Sequence, residues 1–154
     1  MKPSLPADSV SGSSYLRGQI YRELAAVVGV DNISADSEVL QAHAHDWSWM
    51  SRFLSYKKLP LPAADFAVKP ASTDEVREIV RIASTWKVPL VPRGGGTGTQ
   101  GGTLALYGGI SVDLSRMTSI VDIDEESLVV TVQAGIDGPT LEAELNKKNL
   151  TLAH

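Results

Sequence analysis

Apolar residues recur with a helical period before a proline-broken stretch and with mixed periods after it. From Ser13 onward, Leu16, Ile20, Leu24, Val27 and Val28 fall on one helical face, and Gly29 supplies a natural stop. SADSEVLQAHAHDWSWMSRFL predicts a second, shorter helix that runs into an aromatic-rich segment. KKLPLPAAD then predicts a linker at residues 57–64, separating a helical appendage at 13–56 from a second unit at 65–154. Residues 1–12 are rich in Pro, Ser and Gly and predict disorder.

Beyond the linker the elements alternate. FAVKP predicts a short strand. STDEVREIVRIASTWK predicts a helix opened by a capping box of Ser72 and Glu75, with Val76, Ile79, Val80, Ala83 and Trp86 at helical spacing. VPLV predicts an apolar strand leading into a glycine-rich loop, and GISVDL, SIVDID and SLVVTVQAG predict three more. DGPTLEAELNKKN predicts a helix with Pro139 in its first turn and Leu141 and Leu145 on its buried side. LTLAH predicts the opening of another strand, where the chain stops, and the domain is therefore expected to be truncated. The order β-α-β-loop-β-β-β-α-β is that of a mixed α/β (α+β) domain.

Composition narrows the function classes. A net charge of −4 argues against a nucleic-acid or membrane-surface binder. The absence of cysteine removes disulfides, zinc-thiolate sites and a thiol nucleophile. No stretch has the length of a membrane span and the N-terminus has no signal-like apolar core, so a cytoplasmic protein is expected.

The candidate chemistry lies in PLVPRGGGTGTQGGTL, where six glycines fall between Gly94 and Gly102. Gly96, Gly98 and Gly101 match G-x-G-x-x-G, but a dinucleotide-binding loop of that kind must open a helix, and TLALYGGI before the next strand is too short to build one. A nucleoside triphosphate loop needs a lysine and a hydroxyl after the last glycine; Thr103 and Leu104 stand there instead. A plain surface turn asks for one or two glycines. The remaining reading is a strand-to-strand loop whose backbone N–H groups form an anion-binding nest. In it Gly94, Gly95, Gly96 and Gly98 offer unhindered amides, Thr97 and Thr99 add hydroxyls, and Arg93 adds positive charge at the mouth.

From DFAVKPASTDEVREIVRIASTWKVPLVPRGGGTGTQGG, continued by GGISVDLSRMTSIVDIDEESLVVTVQAG, the chain closely resembles the FAD-binding domain of the vanillyl-alcohol oxidase/p-cresol methylhydroxylase superfamily. Its nearest branches by this resemblance are the glycolate and D-lactate dehydrogenases and the alkyldihydroxyacetonephosphate synthases. The resemblance implies a PCMH-type fold, its first subdomain plus the start of the second, preceded by N-terminal helices. It implies that Pro92, Arg93, Gly94, Gly95, Gly96, Thr97 and Gly98 wrap the FAD pyrophosphate with Thr99 close by, and that His154 stands before a second flavin loop. Some relatives attach FAD through a histidine after the triple glycine; Thr97 occupies that place here, which implies non-covalent FAD. The implied activity is that of an FAD-linked oxidase or dehydrogenase forming part of a longer protein. Its small-molecule substrate would be held by an absent C-terminal domain, so no catalytic residue is assigned and the chain alone is expected to be inactive. The alternative is a non-catalytic fragment or a subunit of a split flavoprotein that needs a partner chain to hold FAD.

Other residues carry weaker expectations. Gly135 in VQAG suits either a close approach to the adenosine half or a strand-end turn. His43 and His45 suit a surface or helix-end role rather than a metal. Trp47, Trp49 and Phe53 are expected to pack as a cluster seating the N-terminal helices. Asp122, Asp124, Glu125 and Glu126 are expected to form a solvated hairpin tip, and Asp113 is given no role.

Overall fold

The computed structural model describes residues 14–152; the expectations for residues 1–12 and for His154 lie outside them. Helix α1 spans Ser14–Val28 and buries Ile20, Leu24 and Val28. Gly29 ends it at a φ of 83°, and a 3-10 turn at Val30–Asn32 leads into β1 at Ile33–Ser34. Two short helices follow, α2 at Ser37–His43 and α3 at Trp49–Tyr56. The side chains of Asp36 and Ser48 cap them by accepting bonds from backbone N–H groups of their first turns.

The predicted alternation then appears as β2 (Phe66–Val68), α4 (Thr73–Trp86), β3 (Leu90–Arg93), β4 (Ile110–Asp113), β5 (Ile120–Asp124), β6 (Val129–Val132) and α5 (Gly138–Asn146). β3 begins two residues later than VPLV suggests, after Pro89. The Ser72 hydroxyl accepts from the Glu75 N–H, while the Glu75 carboxylate turns back to the N–H of Ala71. Within α4 the core face is Ile79, Ile82 and Ala83; Val80 is about half exposed, so the stripe keeps Ile79 and Ala83 but is rotated toward Ile82. Thr151 and Leu152 are not in a strand, and Leu152 N–H is instead held by a carboxylate oxygen of Glu142 on α5.

Four strands form one sheet in the order β1-β2-β4-β3, with β2, β4 and β3 parallel and β1 antiparallel at the edge. β2 and β4 are buried along their whole length, as strands inside a parallel sheet are. β5 and β6 form a separate antiparallel hairpin with an irregularity between Ile120 and Asp122. At its acidic tip the Asp124 carboxylate accepts from the N–H groups of Glu126 and Ser127, a solvated turn of the expected kind.

The core on one sheet face joins Ile20, Leu24 and Val28 of α1 to Phe66, Val68, Ile110 and Val112 of the sheet and Ile79, Ile82 and Ala83 of α4. The sequence reading draws a unit boundary at 57–64, yet the packing runs across it. Arg17 on α1 pairs with Asp65 at 3.0 Å, and its guanidinium lies 5.2 Å from the centre of the Phe66 ring. Trp86 Nε1 on α4 donates to Glu23 on α1 at 3.0 Å. β1 adds its main chain to β2, with Ile33 opposite Val68. The physical reason is that a single amphipathic helix has no core of its own, and the stripe on α4 supplies one. The 59–64 stretch is itself pinned, because Leu61 exchanges two main-chain bonds with the Gln41 side chain.

If α1 is integral to this core, Ile20→Ala lowers unfolding stability by about 2–5 kcal/mol in a denaturant titration. A chain beginning at residue 57 then loses cooperative unfolding altogether. Retention of a sharp transition by that shortened chain contradicts the shared core.

Candidate functional site

The glycine loop begins at the carboxyl end of β3. That strand is the sheet edge, and Arg93 O accepts from Leu114 N–H on the β4 side at 2.9 Å. By strand alternation Pro92 therefore turns its ring nitrogen to the open edge, where a missing donor costs nothing. From Gly94 to Gly109 no helix forms, and β4 follows directly, as the strand-to-strand reading requires.

Among the described residues, no backbone N–H from Gly94 to Gly102 donates to a protein acceptor. Two of the loop's carbonyls are occupied: Gly98 O accepts from Trp47 N–H at 2.9 Å, and Gly101 O from Leu104 N–H at 3.1 Å. Donors left open while carbonyls are tied inward are what an anion-binding concavity requires. A Cβ added at Gly98 would meet nothing within 4 Å, and one at Gly95 only the Thr97 methyl at 3.8 Å, so the space beside these amides is open. Thr97 and Thr99 are exposed beside them.

Arg93 is placed differently from the expectation of a charge at the mouth. Its Nη1 donates to His43 O at 3.0 Å and His45 O at 2.8 Å, so the guanidinium is drawn beneath the loop. Gly135 also finds its explanation inside the protein. Its N–H donates to Met117 O at 2.9 Å, and a Cβ there would sit 1.7 Å from Leu114 O, so the backbone after β4 demands a glycine without any ligand. The neighbouring Ala134 O lies 3.6 Å from the position of a Gly94 Cβ, which puts this turn alongside the loop.

The segment between α2 and α3 forms the floor. Ala44 joins Leu61 and Leu104 in a second small core, anchoring the far end of the loop. Asp46 Oδ1 accepts from Ser48 N–H at 3.0 Å and from Ser48 Oγ–H at 2.6 Å. Its other oxygen and the Thr103 hydroxyl are both buried with no hydrogen-bond partner. Burial opposes ionisation of Asp46, but the bonds from Ser48 and the approach of Thr103 outweigh it and hold its pKa below the ordinary value.

The sequence reading missed a charge pair in this floor. His43 Nε2 donates to Asp113 Oδ2 at 3.0 Å and His43 Nδ1 to Val39 O at 2.8 Å, with side chains only 11% and 10% exposed. A carbonyl and a carboxylate are acceptors alone, so the ring makes both bonds at once only as the protonated imidazolium. The bond to Asp113 raises the His43 pKa most; burial and nearby Arg93 pull it down and Val39 O supports it. Burial pushes Asp113 up, but the bonds from His43 and from Ser115 N–H prevail and hold it at about 2. Lys69 Nζ stands 3.9 Å from the same carboxylate. His43 thus has a helix-end role as expected, with a partner the sequence did not indicate. No group of three or more metal-ligating side chains occurs among the described residues.

Trp47, Trp49 and Phe53 correct a second expectation, being 61%, 71% and 47% exposed. They stand on the outer face of the segment, while its buried positions are Asp46, Ser48 and Ser51. The polar residues cap α3 and therefore turn inward, which leaves the rings outside.

A family model described as an FAD binding domain matches residues 64–154, more than half of the chain. The chain belongs to this FAD-binding family. Probable mitochondrial D-lactate dehydrogenase of Danio rerio is 30% identical over 132 residues, covering 86% of this chain and 25% of that protein. Glycolate oxidase subunit GlcD of Bacillus subtilis is 42% identical over 81 residues, covering 53% of this chain and 16% of that subunit. A solved alkyldihydroxyacetonephosphate synthase superposes with a TM-score of 0.78 at 28% identity, over 89% of this chain and 28% of its own. p-Cresol methylhydroxylase shares the fold, with a TM-score of 0.73 at 20% identity over 91% of this chain and 26% of its own. The chain thus spans less than a third of the length of each of these proteins. The family cofactor is FAD, and the open amides of the loop fit its pyrophosphate. Among the described residues no helix is long and apolar enough to cross a membrane.

The charge pair predicts a pH signature. A raised His43 pKa contributes stability that is full below its ordinary value of 6.5 and lost as pH rises through the folded value. The depressed Asp113 contributes above its ordinary 3.8 and loses that contribution as pH falls toward about 2. The pair therefore stabilises most between these ordinary values. Thermal unfolding should show the midpoint declining above roughly pH 6.5 in the native chain and a flatter profile in His43→Gln. At about pH 5.5 the variant loses about 1–3 kcal/mol by stranding a buried carboxylate.

Proposed function

We propose that this chain supplies the pyrophosphate-holding part of a non-covalent FAD site in an FAD-linked oxidoreductase acting on a hydroxylated substrate such as a 2-hydroxy acid. The observation that carries the reading is the run of N–H groups without protein acceptors from Gly94 to Gly102, at the carboxyl end of a parallel sheet. Ligands of open α/β sheets sit at that end. Pro92 and Arg93 lead into the site, Gly94, Gly95, Gly96 and Gly98 present amides, and Thr97 and Thr99 add hydroxyl donors. Thr97 offers no ring nitrogen to a flavin, which supports non-covalent attachment.

The relatives named as D-lactate dehydrogenase and glycolate oxidase support a 2-hydroxy acid as the substrate class. Similarity to a solved alkyldihydroxyacetonephosphate synthase supports a synthase-like activity of that kind as the alternative for the whole protein. When bound, the flavin supplies the electron-accepting chemistry; the residues of this chain bind and orient it. A second reading, a subunit that completes its flavin site with a partner chain, is favoured by the exposed Trp47, Trp49, Phe53 and Tyr56, an apolar surface of the kind proteins cover.

Titration of the isotope-labelled chain with FAD, followed by amide NMR, tests the site. Weak, saturable shifts should concentrate on residues 94–102 and disappear in Gly95→Val, whose Cβ has room in the protein but whose branches occupy the space above the amides. Shifts scattered over the surface, or an undiminished response in Gly95→Val, would place the nest elsewhere.

A further inference from the structure

Arg93 sits where a phosphate ligand is expected, yet its hydrogen bonds go to the protein. One nitrogen, Nη1, donates to two carbonyls at the end of α2, His43 O and His45 O. A cation at a helix C-terminus also meets the negative end of the helix dipole. The guanidinium then lies flat against Gly96. A Cβ at that residue would fall 2.5 Å from Nη1, 2.5 Å from Nη2 and 2.6 Å from Cζ, and Gly96 itself holds a φ of 67°. Arg93 and Gly96 are therefore one fitted pair, in which the arginine fills the volume that any side chain at 96 would need.

The contact closes a ring. From the guanidinium the connection passes to His43 O and His45 O, along the main chain to Trp47, through Trp47 N–H to Gly98 O, and back along the loop to Arg93. The ring is fixed to the sheet at two points. Arg93 is the register partner of Asp113, and Asp113 in turn holds the His43 ring. Every open amide between Gly94 and Gly98 lies inside this ring, and its carbonyl exit at Gly98 is locked by it.

We propose that Arg93 is a positioning residue, a strap that fixes the 94–98 main chain against residues 43–47 and thereby sets the arrangement of amides that receives the ligand's pyrophosphate. The ligand in this statement rests on the flavin reading above; the strap itself does not. A planar guanidinium lying flat against Gly96 while bonded to two carbonyls is a geometry that lysine, a point charge on a flexible stem, does not reproduce.

The test uses amide hydrogen exchange in the full chain without ligand, comparing Arg93→Lys, Arg93→Met and Gly96→Ala. Trp47 N–H exchange should rise about tenfold or more in all three, with the amides of β4 unchanged. The Arg93→Met/Gly96→Ala double variant should exchange no faster than Gly96→Ala alone, because the alanine already removes the contact with the guanidinium. In an FAD titration Arg93→Lys should lose as much affinity as Arg93→Met. Should one Arg93 variant fail to fold, the other decides, because Gly96→Ala also strains a backbone held at a φ of 67°. Wild-type Trp47 exchange in Arg93→Lys together with wild-type FAD response overturns the strap and makes Arg93 a simple charge. Unchanged Trp47 exchange in Arg93→Met with weakened FAD binding overturns it in favour of direct phosphate contact. A chain whose loop is indifferent to FAD defeats the flavin reading while the exchange result still decides the strap.

Discussion

β3 and β4 run parallel and side by side, so the chain leaving the carboxyl end of β3 must travel the length of the sheet before it can enter β4. Such crossovers are normally made by a helix, which satisfies its own backbone while it covers the sheet. Here the crossover is the sixteen residues 94–109, with no helix in them. The glycine-rich part of the loop, residues 94–102, gives none of its N–H groups to a protein acceptor, and it cannot be buried with them unpaired. Both the glycines and the surrounding clips follow from this constraint. Trp47 N–H, the Arg93 guanidinium and the Leu104 side chain each hold a different part of the loop, and what they leave free is a row of donors facing outward.

The two faces of the central strand divide the labour. Ile110 and Val112 of β4 enter the core with α1 and α4, while Asp113 meets the floor segment on the other side. A chain of net charge −4 places His43 and Lys69 at the carboxylate of Asp113, with Arg93 bonded to the His43 carbonyl and the buried Asp46 in the same floor segment. Net charge says nothing about a compact site, where the arrangement of a few charges decides the field.

The sequence was informative wherever the physics is local. Helix stripes, the cap at Ser72, the hairpin tip at Asp124 and the helixless glycine loop all depend on neighbours within a few residues, and each is found in the structure. Contacts between distant segments left no such signal. His43 and Asp113 are 70 positions apart, and neither belongs to a periodic pattern. β1 is two residues long, below the length at which alternation can register. The stripe of α1 shows that one face is buried without naming what buries it. The aromatics near Trp47 misled for a related reason, since apolar character argues for burial while the capping needs of α3 turned Ser48 and Ser51 inward instead.

These long-range contacts change what the N-terminal region is for. α2 is held to the sheet by His43–Asp113, and α1 and β1 complete the same sheet and core. The loop's conformation therefore depends on residues 43–47, and those residues depend on the fold of everything before them. A ligand that binds only the clipped loop shifts both equilibria together, stabilising the N-terminal segment by mass action although it touches only the amides of 94–102. By reciprocity, a substitution in α1 far from any ligand weakens binding to the extent that it frees the floor. The stretch before residue 57 is on this view the mould in which the glycine loop is set.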